Sequence, residues 1–436
     1  MPVTGGPEDP VDRFVEMAAT HDRCFWLDGG GARAWSGRRS LLGWLDDDDV
    51  SLTYDAATGE VIRHCGGASE VVGDDVFAVL EREIARDGGG PGGSSRSGGG
   101  GGQWVGYFGY ASRPDLPALS DPPVRPGDPA GLPTAVWMRA RQVDVIDHPA
   151  PPPAVGAAPS PRADDEPDPP AVYLDAFARV QEHLRAGNTY EVNLTHRITV
   201  PSELDPVAAY LRLRELNPAP YAGFLQHRGS WLLSSSPERY ATVDRHRRIE
   251  TKPIKGTTPR GATPAEDERL RRLLGTDPKL RAENLMITDL LRNDLGMVCR
   301  PGTVTVPGLM EVESYPSVHQ LVSTVRGRLR DDVTTVGALR ALFPAGSMTG
   351  APKLRTMEVI EEVEATPRGV YAGAFGWIAE DGRADLGVVI RSLTTAGDGH
   401  WTLGTGGGIT VRSEPAEEYA ESRWKADRLL RVLAGE

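Results

Sequence analysis

From Val172 onward the chain runs as one dense succession of apolar-patterned segments, whereas the first 170 residues are broken twice by low-complexity sequence. The stretch 87–102 is almost all Gly, Ser and Arg and cannot bury anything, so a mobile loop is expected there. The stretch 148–170 is rich in Pro, Ala and Asp and reads as an extended linker. This spacing divides the chain into an N-terminal region, 1–147, a linker, 148–170, and a larger, denser unit, 171–436.

Within the dense part, Val172–Ala186 has helical periodicity and stops at Gly187, a good C-terminal cap. Thr189–Val200 alternates as a strand, with Tyr190, Val192 and Leu194 on one face and Glu191, Asn193 and Thr195 on the other. Gly223–Ser236 predicts two strands around a His-Arg-Gly-Ser turn, and Gln103–Tyr110 a buried strand. Pro278–Gly296 and Pro415–Leu433 predict long helices. Strands and helices mix without a regular βαβ rhythm, which favours α+β over a doubly wound sheet.

Composition narrows the function. A net charge of -13 argues against a nucleic-acid binder, which needs clustered Lys and Arg. No run of eighteen apolar residues occurs, so no membrane helix is expected, and the N-terminus lacks the pattern of a signal peptide. Three widely spaced cysteines, Cys24, Cys65 and Cys299, fit neither a disulfide scaffold nor a zinc site. A soluble cytoplasmic protein with reduced thiols is the expectation.

Five segments could carry chemistry. In SSSPERY, Glu238 is either a solvated strand end or a sheltered general acid with a raised pKa. In TKPIKGT, Lys255 is either an exposed turn residue or a buried amine nucleophile, its pKa depressed by a neighbouring cation such as Lys252 or Arg239. Glu283 shares a helix face with Met286, Ile287 and Leu290, where a carboxylate needs an ion pair or a metal. Glu421 and Lys425 lie nearly opposite the apolar stripe of their helix, the pattern of a solvated i,i+4 ion pair, although a helix packed on both sides could aim Glu421 into a cleft. GTGGGIT, 404–410, follows a strand and reads as a turn, a bulge or an anion-binding concavity of backbone N–H groups.

In this order the motifs resemble the chorismate-utilising family of anthranilate synthase large subunits, aminodeoxychorismate synthase component I, and isochorismate and salicylate synthases. The succession is GNTYEVNLT, NPAPYAGF, SSSPERY, TKPIKGT, AENLMITDLLRNDLG, HQLVSTVRG, FPAGSMTGAPK, YAGAFGW, VVIRSL, GTGGGIT and the closing Glu-rich helix. The resemblance implies an α+β fold of two packed antiparallel sheets flanked by helices. It implies Mg2+ held by Glu283 and Glu421, with Glu418 behind them and Lys425 contacting substrate. Tyr371, Arg391 and Gly406 would hold the carboxylates of chorismate, with Thr349 and His319 lining the same pocket. PIKGT is similar to the aminodeoxychorismate synthase pattern, where anthranilate synthases carry PIAGT. That implies Lys255 adding to C2 while Glu238 protonates the C4 hydroxyl, and ammonia then displacing the lysine. Glu191 is expected among the substrate-binding residues, at a position where many relatives have Gln and others a water-activating Lys. The expected product leads to para-aminobenzoate for folate or for a secondary metabolite. Without a Cys-His-Glu glutaminase module, ammonia is expected from solution or a separate amidotransferase subunit. Tryptophan is a possible further ligand, through NPAPY and a rough counterpart of a leucine motif in RRSLLGWL. Anthranilate synthase component I and a non-catalytic chorismate- or tryptophan-binding regulator are the alternatives.

Overall fold

The computed structural model describes residues 10–29, 39–88, 102–120, 131–148, 168–315 and 318–435. Most of the Gly-rich stretch and most of the Pro-rich stretch therefore lie outside the described residues.

Two antiparallel sheets form the body. The nine-stranded sheet runs, by strand, 350–351, 191–201, 400–409, 392–395, 230–236, 221–227, 23–28, 39–44 and 142–147. The twelve-stranded sheet carries 254–259, 318–328, 248–252, 239–243, 384–388, 374–379, 103–108, 135–140, 51–55, 60–65 and 68–73, with 305–314 added beside 318–328. Both sheets draw strands from each side of the Pro-rich stretch. Gln103–Phe108 pairs along its whole length with Ala374–Ala379, and Arg23–Asp28 pairs with Tyr221–His227.

Buried side chains sort into layers. Phe25, Val105, Met138, Leu225 and Phe375 fill the space between the sheets. Phe14, Tyr210, Leu429 and Val432 pack helices on the outer face of the nine-stranded sheet, while Phe77, Ile287, Leu339 and Met357 do so on the twelve-stranded one. Each such side chain contributes about 1.5–3 kcal/mol on leaving water. A Cβ at Gly223 would lie 2.6 Å from the Phe375 ring, so glycine is what lets the sheets close together there.

The expected helices form over Ala171–Arg185, Pro278–Val298 and Pro415–Ala434. Asp277 caps the second by accepting from the Leu280 N–H at 2.9 Å. The Tyr221–His227 and Ser230–Ser236 hairpin turns through Arg228 and Gly229, both at positive φ. The alternation expected for 189–200 is altered in one respect. Tyr190 lies outside the Glu191–Pro201 strand and is 67% exposed, and the strand is buried on both faces at its start. GTGGGIT differs more. Its glycines are not a turn but the interior of the His400–Ile409 strand, in unbroken register with Val192–Pro201.

Candidate active site

The cleft opens where the two sheets meet the Pro278–Val298 and Pro415–Ala434 helices, with a free volume of about 980 Å³ including its mouth. Lys255, Glu238, Glu283, Tyr371, Arg391, Gly406, Glu418, Glu421 and Lys425 all line it.

One wall is main chain. Thr195 and Asn193, opposite Gly406 and Gly408, give their N–H groups to Glu364 and to the Thr349 carbonyl, both at 2.9 Å. Antiparallel alternation therefore turns the N–H groups of Gly406 and Gly408 away from that neighbour. On the far side, the Ser392–Thr395 strand meets theirs at Thr394 and Thr402, which leaves the edge beyond facing the cleft. Lys425 Nζ donates to the Gly406 carbonyl at 3.0 Å on this side. Glycine is required by space: a Cβ at Gly404 would strike the Tyr371 ring, and one at Gly408 would strike the Glu191 carboxylate. The spacing of GTGGGIT thus serves close approach within a strand.

Opposite that wall stand the titratable groups. Lys255, 9% exposed, donates from Nζ to Glu191 Oε1 at 2.5 Å, and Glu191 is completely buried. Burial alone would lower the lysine's pKa, but Glu191, then Glu283 and Glu238, outweigh it and raise it. The expected depression by a cation does not occur. Lys252 pairs with Glu313 at 2.6 Å and Arg239 with Glu250, so both candidate cations are committed elsewhere. Carboxylates surround the amine instead.

Glu238 is 5% exposed, and burial pushes its pKa up to about 7 against the opposing effects of the Ser347 hydroxyl and Lys255. Glu283, 8% exposed, is likewise pushed up to about 7 by burial. Its Oε1 is buried without a hydrogen-bond partner among the described residues. Lys279 reaches Glu418 Oε1 at 2.8 Å, and Glu421 pairs with Lys425 at 2.8 Å near the mouth, where Lys425 holds its pKa low. The i,i+4 pair read from the helix pattern is present, and it borders the cleft. Among the described residues, no group of three or more His, Cys, Asp or Glu side chains is arranged to hold a metal.

Tyr371 stacks under Arg197, whose guanidinium lies 5.0 Å from the ring centroid, and burial pushes its hydroxyl up to about 12. Arg391 has φ 49°, a strained backbone that the surrounding structure must hold. Three expected residues stand apart from the cleft lining. Thr349 is buried beside Met348, which does line it, His319 turns to Asp267 Oδ1 at 3.0 Å while its neighbour Gln320 lines the cleft, and Glu191 reaches the cleft only through its contact with Lys255. In NPAPY, Asn217 is tied to Ser235 Oγ at 2.6 Å and the Tyr221 hydroxyl to Asp385 at 2.8 Å.

Sequence reasoning missed Ser347, Lys279 and Asn193 as lining residues. Ser347 lies inside the small-residue turn FPAGSMTGAPK, where a hydroxyl among glycine, alanine and proline was the available signal.

The profile of the family described as chorismate binding enzyme matches residues 94–431, a span that contains every residue lining this cleft. The chain belongs to that family. It is 40% identical over 460 aligned positions to the aminodeoxychorismate synthase of Streptomyces griseus, covering 96% of this chain and 62% of that protein. It is 35% identical to anthranilate synthase component 1 of Streptomyces coelicolor, covering 88% of this chain and 83% of that one. The crystal structure of anthranilate synthase component I from Streptococcus pneumoniae superposes with a TM-score of 0.73 at 26% identity, covering 92% of this chain and 93% of that one. The chain therefore spans less than two thirds of its Streptomyces griseus relative. Its α+β architecture of two large antiparallel sheets is the one expected from the motif succession.

Proposed function

We propose that this chain converts chorismate and ammonia to 4-amino-4-deoxychorismate, with Lys255 as nucleophile and Glu238 as general acid. The observation that carries the reading is that Lys255 brings an amine into the same cleft as a carboxyl poised near neutrality. An acid with pKa about 7 keeps a substantial protonated fraction near neutral pH, where an ordinary carboxyl is almost fully ionised. It would protonate the C4 hydroxyl as the lysine amine adds at C2, and ammonia would then add at C4 and release the lysine. The similarity to the Streptomyces griseus aminodeoxychorismate synthase supports this assignment.

Magnesium fits the cleft. The orphaned Oε1 of buried Glu283 is the group whose burial a cation would compensate, and Glu283 and Glu421 would hold the ion while Glu418 stays with Lys279. Bound there, the ion would supply positive charge for a carboxylate of the substrate. Arg391, Tyr371 and the glycine wall would orient the remaining anionic groups.

Ammonia would come from solution or from a glutamine amidotransferase. A cytoplasmic setting accords with the described residues, among which no helix is long and apolar enough to cross a membrane. In this reading residues 1–147 form the N-terminal region of the fold, 148–170 link it onward, and 171–436 carry the chorismate-binding catalytic part. Free tryptophan would be a further ligand, tested by calorimetry.

Anthranilate synthesis is the second reading, favoured by the 83% coverage of the Streptomyces coelicolor relative. Incubation with chorismate, magnesium and ammonium, followed by mass spectrometry, separates the two. Anthranilate as the sole product would overturn the proposal.

A further inference from the structure

We propose that Glu191 is the base that takes a proton from Lys255 as its amine attacks, and that returns the proton when the amine departs. This rests on the reading of Lys255 as nucleophile. A nucleophile held within hydrogen-bond reach of a carboxylate is the arrangement that activates weak nucleophiles. Here the contact is 2.5 Å, and among the described residues no other side chain accepts from the lysine Nζ.

Three features separate this pair from a structural salt bridge. Glu191 Oε2 is buried and has no hydrogen-bond partner among the described residues, so the carboxylate is not fixed into a wider network. The buried Lys353–Asp294 pair differs, because Lys353 also donates to the Leu342 carbonyl at 2.7 Å and is tied on both sides. Second, the pair borders the cleft: Lys255 lines it, and Gly408, on its main-chain wall, leaves the room that Glu191 occupies. Third, the other carboxyls near Lys255 have different tasks. Glu238 accepts from Ser347 at 2.6 Å and serves as acid, and Glu283 is assigned to the metal.

The step balances. An Nζ–H bond of the ammonium breaks, the proton passes to Glu191, and the freed lone pair forms the N–C2 bond. The two ring double bonds shift, the C4–O bond breaks, and the oxygen leaves as water with the proton of Glu238. In the second half the ammonia lone pair forms the C4–N bond and the double bonds shift back. The C2–N electrons return to the lysine, which recovers its proton from Glu191, while the surplus ammonia proton restores Glu238.

The test is a single turnover without ammonia, in which the Lys255 peptide is assayed by mass spectrometry for an adduct equal to chorismate less one water. Glu191→Gln should slow adduct formation by about a hundredfold, the usual scale of a lost general base, with chorismate affinity within about threefold of wild type. Glu191→Asp, which keeps a carboxylate, should recover part of the rate. A Glu191→Gln variant that forms adduct within threefold of the wild-type rate overturns the proposal. So does parallel loss of chorismate binding and thermal stability in both variants, which marks a structural role. A wild type that forms no adduct refutes the nucleophile reading itself, a result distinct from either.

Discussion

Ser347 Oγ donates to Glu238 Oε1 at 2.6 Å, and both residues are buried, so this carboxyl of the cleft is held by a turn remote in sequence from its own strand. The pKa of Glu238, about 7, is set by burial working against that hydrogen bond. The folded protein therefore binds this proton more tightly than the unfolded chain. Its stabilising contribution is full below the ordinary carboxylate range and is lost as pH rises through 7. Shifting a carboxyl by that much corresponds to roughly 3 kcal/mol. Glu238→Gln should accordingly melt higher than wild type at pH 8 and no higher at pH 4, while turnover falls by about 10²–10⁴-fold. Identical melting curves across that range would refute the burial argument.

Lys255→Ala should abolish efficient formation of 4-amino-4-deoxychorismate while chorismate still binds through Arg391 and the main-chain wall. The variant reads PIAGT, so residual turnover should shift to anthranilate by direct attack of ammonia at C2. Both products are to be quantified at matched ammonium and magnesium. Aminodeoxychorismate formed at the wild-type rate would remove the covalent route.

Glu283→Gln should weaken magnesium binding by at least about tenfold, as measured by calorimetry or by Mn2+ paramagnetic resonance. Folding should not suffer, since a neutral amide replaces a buried carboxylate whose Oε1 has no protein partner among the described residues. Unchanged metal affinity would take Glu283 out of the ligand set.

Gly408→Ala places a methyl group against the Glu191 carboxylate and 3.4 Å from Lys255 Nζ. Overpacking of this kind costs about 1–3 kcal/mol. The expected signature is a drop in kcat larger than the modest fall in Tm implies, because the displaced group is Glu191. Wild-type kcat in a folded variant would show that the pair tolerates movement.

The sequence exposed the site unevenly. Glu283 was legible because a carboxylate on a helix face with Ile287 must be compensated, and its orphaned Oε1 shows where compensation is missing. Glu238 and Lys255 were each open to a surface reading, and what buries them is contact from elements far along the chain: Ser347 for one, Glu191 for the other. The charge around Lys255 was misread because Lys252 and Arg239 are near in sequence, yet their partners are Glu313 and Glu250. GTGGGIT was misread because runs of glycine signal turns locally. Here the requirement for glycine comes from the Tyr371 ring and from Glu191 at the head of the neighbouring strand, and no local pattern carries that information.

A cleft wall built from backbone has an evolutionary consequence. Backbone atoms are the same whatever the codon, so the face formed by Gly404, Gly406 and Gly408 cannot be tuned by substitution, only blocked. A shared anionic substrate can therefore be inherited intact by every descendant of such a fold. Under the proposed mechanism the choice of reaction would then be left to single side chains beside that wall, Lys255 and Glu191 among them.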